Sequence, residues 1–151
     1  MYIGIVGKSG VGKTTAARFI EDMYEVTRAV FSDLMSDTHP ATISLTSGFT
    51  RSDCAPGYIK VDEGIWVDGA THNLFKVAGG VVIDGCRSDR EVEYIKKMGG
   101  VVIGITRPGV STYDCSIPTP AGCELNHDIL NFGTKEDLYL AIEGIVDEHY
   151  G

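Results

Sequence analysis

The segment Gly7-Lys8-Ser9-Gly10-Val11-Gly12-Lys13-Thr14 sets three glycines, two lysines and two hydroxyl side chains at the spacing G-x-x-x-x-G-K-T. Each residue type has a task in holding a polyphosphate. The glycines let the backbone curl so that successive N–H groups point inward, and a helix starting just beyond adds its partial positive charge. Lys13 can set an ammonium on the β and γ phosphates, and the Thr14 hydroxyl can ligate magnesium. The pattern also has the context it requires, an apolar run before it and a helical pattern after it. ATP and Mg2+ are the expected cofactors.

Other residues have the types that phosphoryl chemistry uses. Asp84 follows Val81-Val82-Ile83 and would project from the carboxyl end of a buried strand, where open α/β sheets bind ligands. It suits a magnesium-holding acid of the Walker B kind, and a local turn before Gly85 is the plainer reading. Asp33 has the same placement after Val26 to Phe31, with a polar loop start or helix cap at Ser32-Asp33 as the alternative. Transfer of a phosphoryl group needs cations, and arginine binds phosphate in a bidentate manner. Arg87 and Arg107 are the first candidates, Arg51 in a polar stretch is the next, and Arg90 reads as a surface residue.

These residues require elements that bring them to one edge. Tyr2 to Val6 reads as a buried strand, and a helix is expected from Thr14 to about Tyr24 with Ala16, Ala17, Ile20, Met23 and Tyr24 on one side. Val26 to Phe31, Val81 to Ile83 and Val101 to Thr106 are further strands, and His127 to Phe132 is a candidate fifth. Ser88-Asp89-Arg90-Glu91 has the form of a capping box, followed by an apolar stripe of Val92, Ile95 and Met98 before Gly99-Gly100. Thr134 to Asp137 starts a last helix with Leu138, Ala141, Ile142, Ile145 and Val146 at helical spacing. Tyr58 to Lys76 is ambiguous, because Ile59, Val61, Ile65 and Val67 alternate while Trp66, Ala70 and Leu74 recur at helical spacing; the reading favours a helix from about Gly64. Strands alternating with helices predict an α/β fold with a parallel sheet covered on both faces.

The whole chain bounds what this edge can serve. At 151 residues with 43% hydrophobic side chains, one domain over residues 1–151 is expected. A net charge of −8 works against tight binding to duplex nucleic acid, so an anionic ligand must be captured by locally focused positive charge. No apolar run approaches the roughly 20 residues that span a bilayer, and no basic leader precedes the first strand, so a cytoplasmic location and no membrane partner are expected. Cys54, Cys86, Cys115 and Cys123 are scattered without metal spacing, which predicts neither zinc nor disulfide. Two polar stretches, Ser36 to Gly57 and Gly109 to Gly122, read as functional loops.

The sequence resembles the bacteriophage deoxynucleoside monophosphate kinases of the P-loop nucleoside-monophosphate kinase group. The resemblance rests on Gly7 to Thr15, Phe31-Ser32-Asp33, Val81 to Arg87 with Glu91, Gly99 to Ile103, Thr106-Arg107-Pro108, Asp128 to Thr134 with Leu138, and more weakly on Trp66. It implies a three-layer P-loop fold with a five-stranded parallel sheet and a donor-phosphate loop extending to Thr15. It further implies an acceptor-binding segment over about residues 33–78, with the nucleoside monophosphate between Asp33 and Trp66. A lid-like segment over about 108–127 and an approach of Asn131, Gly133 and Thr134 to the donor adenine complete the picture. The stretch Gly109 to Leu125 contains no arginine or lysine, which leaves Arg87 and Arg107 to clamp the transferred group. The implied activity is ATP-dependent transfer to a deoxynucleoside monophosphate. A kinase acting on a hydroxyl, with Asp33 as base, and a non-catalytic nucleotide-binding protein are the alternatives.

Overall fold

The structure is a computed structural model that describes residues 1–8, 10–31, 41–45, 58–62, 65–68, 80–86, 89–109 and 125–150. The strands are β1 (Tyr2–Val6), β2 (Thr27–Phe31), β3 (Ala41–Leu45), β4 (Tyr58–Asp62), β5 (Ile65–Asp68), β6 (Val81–Asp84), β7 (Val101–Thr106) and β8 (His127–Leu130). The helices are α1 (Lys13–Tyr24), α2 (Asp89–Lys97) and α3 (Lys135–Tyr150).

Five strands form an all-parallel block in the order β2-β6-β1-β7-β8, with β1 at its centre paired to β6 and β7. Short β-branched runs suit this position, since a strand buried on both faces needs apolar side chains on both. Along β1, Ile3 and Ile5 point to the face covered by α1 and α3, and Val6 points to the face covered by α2. The first face packs Ala16, Ala17 and Ile20 of α1 with Leu138, Ile142 and Val146 of α3. Phe19 and Tyr139 stack across the two helices with ring centroids 4.2 Å apart. On the opposite face Val92, Tyr94 and Ile95 of α2 pack on Val81, Ile83 and Val102, so helices cover both sides.

Several expectations are corrected. The block does not end at five strands: β3 pairs antiparallel with β2, β5 parallel with β3, and β4 antiparallel with β5, giving an eight-stranded sheet. Ile65–Asp68, within the span expected to be helical from about Gly64, is a strand, because its alternating apolar residues pair antiparallel with β4 in a register that shifts between Lys60 and Asp62; the rest of that span lies outside the described residues. Ala41–Leu45, within the polar stretch read as a loop, is also a strand. Met23, expected on the buried side of α1, is 55% exposed because that face is already filled by Ala16, Ala17 and Ile20. Ser88 of the expected capping box lies outside the described residues; Glu91, its expected partner, is buried.

Candidate functional site

The chain leaves β1 at Val6 and enters α1 at Lys13 through the glycine segment. Gly10 (φ 83°) and Gly12 (φ 108°) are left-handed, a conformation that glycine adopts without steric cost. Gly12 is also the N-cap of α1, with no side-chain cap, and the first turn of α1 carries no acidic residue. The positive end of this helix therefore faces the loop without an acid from its own first turn. By contrast α3 starts with Glu136 and Asp137, and its Thr134 N–H donates to Asp137 Oδ2 at 3.0 Å.

Lys13 folds over the loop, where its Nζ donates to the carbonyls of Gly7 at 2.6 Å and Lys8 at 3.2 Å. One residue further, Thr14 Oγ1 donates to Asp84 Oδ2 at 3.0 Å, linking α1 to the end of β6. Asp84 reaches this place because β6 pairs in parallel with β1, so the loop after β1 and the end of β6 open on one edge. A hydroxyl and a carboxylate are hard oxygen donors. Their separation matches the roughly 2.9 Å between neighbouring ligands of an octahedral Mg2+ with bonds of about 2.0–2.1 Å.

Arg28 on β2 joins this pair, with Nη1 3.4 Å from the same Asp84 oxygen and Nε 3.6 Å from Glu21 Oε2. Sequence reasoning missed this residue. The available signal was a single cation ahead of the apolar run Ala29-Val30-Phe31, on the strand that pairs with β6. Cys86 follows immediately, buried, with its N–H donating to Ile5 O at 2.9 Å. Burial pushes its thiol well up, and the carboxylates of Glu91 and Asp84 push in the same direction, so Cys86 is a neutral core-filling group and not a nucleophile.

The other wall comes from the end of β8. Asn131 N–H donates to Thr106 O at 2.7 Å, which sets the residue beside Arg107, and its Nδ2 donates to Val11 O at 2.8 Å. A Cβ on Gly12 would stand 2.8 Å from that Nδ2, so the close approach needs glycine there. Gly12, Thr15, Arg107, Asn131, Thr134 and Leu138 help line a cavity of about 160 Å³. A second, of about 190 Å³, runs past Gly7, Lys8, Thr106, Leu125 and Asp128 and shares Arg107 with the first.

The structure thus brings Gly7, Lys8, Gly10, Val11, Gly12, Lys13, Thr14, Thr15, Asp84, Arg107 and Asn131 to one edge of the sheet. Ser9, Asp33, Arg51 and Arg87 lie outside the described residues. The backbone of Trp66 belongs to β5, separated from β6 by β3 and β2. No helix among the described residues is long and apolar enough to cross a membrane. No protein-family model and no curated protein matches this chain.

Proposed function

We propose that this chain is a P-loop phosphotransferase of three-layer architecture, binding ATP and Mg2+ at Gly7 to Thr15 and transferring the γ-phosphoryl group to a deoxynucleoside monophosphate. The observation that carries the reading is the 3.0 Å contact of Thr14 with Asp84 beneath the glycine loop, at the start of a helix whose own first turn carries no acidic residue. Thr14 and Asp84 would supply the protein oxygens for Mg2+, which would neutralise phosphate charge when bound. Lys13 leaves its carbonyl partners for phosphate oxygens, a stronger charge-assisted pairing. Arg107 stands between the two cavities, where a guanidinium can bridge donor and transferred phosphates. Asn131 and the start of α3 form the wall on which the donor base rests. The acceptor belongs on the side of Asp33, Arg51, Trp66 and Arg87, an assignment supported by the family resemblance alone. Catalysis in such a site is positioning plus electrostatic stabilisation.

The test is ADP formation from ATP and Mg2+ across a panel of nucleoside and deoxynucleoside monophosphates, with Lys13→Ala as control. Turnover with at least one deoxynucleoside monophosphate is expected. Lys13→Ala is expected to remain folded and to lose turnover, because the loop backbone alone cannot neutralise the β and γ charges. Turnover only with hydroxyl acceptors, or unaltered turnover in Lys13→Ala, overturns the proposal.

A further inference from the structure

A second cluster of ligand atoms lies where α3 ends against the start of β8. His127 is the first residue of β8, and Glu148 and His149 lie in the last turn of α3. The Nε2 atoms of His127 and His149 stand 2.7 Å apart, with ring planes at 78°. The Glu148 carboxylate lies 4.0 Å from His127 Nε2, and one ligand atom from each residue falls within 4.8 Å of the others. Nothing in the nucleotide site uses these residues.

Two imidazole nitrogens at 2.7 Å share one proton, so one of them turns a lone pair towards the other. Replacing that proton by a metal directs both lone pairs at one ion. Tetrahedral zinc with Zn–N bonds of about 2.0–2.1 Å holds two nitrogens about 3.3 Å apart. The widening needed is small for rings at the protein surface. The ends of the clamp are anchored: Tyr150 Oη donates to Tyr2 O at 3.0 Å, and Ile129 and Val146 are buried in the same core cluster. Imidazole with a carboxylate suits Zn2+ or Ni2+ better than Mg2+, which takes oxygen ligands.

We propose that His127, Glu148 and His149 form a three-ligand site for a transition-metal dication of the Zn2+ type, which ties α3 to β8. The fourth position is open to water. The ion would brace the strand that leads into Asn131 without touching the nucleotide.

The experiment titrates the metal-free full chain with Zn2+ by calorimetry, follows the thermal midpoint, and repeats the titration with Co2+ in the visible range. Stoichiometric binding, a raised midpoint and a Co2+ spectrum without a thiolate charge-transfer band are expected. In His127→Ala and His149→Ala the Zn2+ affinity should fall by at least about tenfold, the lower end of the cost of losing even a supporting contact. Their midpoints in EDTA should match that of the parent chain treated likewise, which separates lost metal from lost fold. Absence of binding, a thiolate band, or undiminished affinity in both histidine variants overturns the site. Undiminished affinity in Glu148→Gln removes the carboxylate from it. Neither result depends on phosphotransferase activity.

Discussion

Asp84 is the residue on which the proposed nucleotide site converges, since one of its oxygens accepts from Thr14 on α1 and faces Arg28 on β2. At 9% exposure the carboxylate has lost most of its water, and these two partners replace it. Arg28 thereby offsets the buried charge, and in the proposed site Mg2+ would compete with a guanidinium for the same oxygen. Asp84→Asn keeps the shape and hydrogen-bonding capacity of the side chain and removes its charge. The variant is expected to fold and to need more Mg2+ for half-maximal turnover, as a Mg2+ titration of initial rates would show. An unfolded variant with unaltered Mg2+ dependence would reduce Asp84 to a structural turn. The acid was legible in the sequence because an aspartate directly after three buried β-branched residues has few places to point. Its partner Arg28 was not, because the contact depends on β2 and β6 being neighbours, and periodicity within one strand carries no information on strand order.

At the scale of elements, the central strand shows how a single side-chain volume sets the distance between layers. A Cβ on Gly4 of β1 would clash with Ile95 Cδ1 of α2 and stand 3.1 Å from Cys86 Sγ, so α2 docks against bare backbone. Gly4→Ala is therefore expected to destabilise the fold by about 1–3 kcal/mol, the usual cost of overpacking a filled core. Denaturant unfolding reads this as a lower midpoint at unchanged slope. Nucleotide affinity measured well below the transition should be preserved, because the clash lies within the sheet and not at its carboxyl edge. Unchanged stability would mean that α2 does not rest on β1 as described. The same elements explain what the sequence disclosed. β1, α1, β6, β7 and α3 are apolar at one period only and are bounded by glycines or a cap, so local pattern and tertiary role agree. In Ile65–Asp68 two periods compete over a short span, and strand pairing with β3 and β4 decides between them. Ala41–Leu45 alternates apolar with hydroxyl residues, a half-polar pattern that composition alone cannot tell from a loop.

For the whole molecule, a net charge of −8 opposes an anionic ligand at long range, and binding must come from cations and N–H groups concentrated at one edge. Lys8, Lys13, Arg28 and Arg107 all lie there, on or beside β1, β2 and β7, brought together from positions up to about a hundred residues apart by the parallel sheet. A ligand that binds only this folded edge stabilises the entire chain, since the site does not exist once β1, β6 and β7 separate. Such linkage amounts to about 2.7 kcal/mol at a hundredfold excess over the dissociation constant, which for a chain of this size raises the thermal midpoint by roughly 5–10 °C. A non-hydrolysable ATP analogue with Mg2+ is expected to give a shift of this order, and omission of Mg2+ to reduce it if Thr14 and Asp84 hold the ion as proposed. A deoxynucleoside monophosphate that is the true acceptor should add a further rise of its own and stand clear of the other monophosphates, because acceptor pockets discriminate by paired polar groups. Lys13→Ala should lose the analogue's shift and keep the acceptor's, since the role proposed for the lysine is on the donor phosphates. A panel in which the analogue shifts the midpoint and no monophosphate or hydroxyl acceptor adds to it would make the chain a nucleotide-binding protein without an acceptor site, and would exclude the transfer reaction proposed for it.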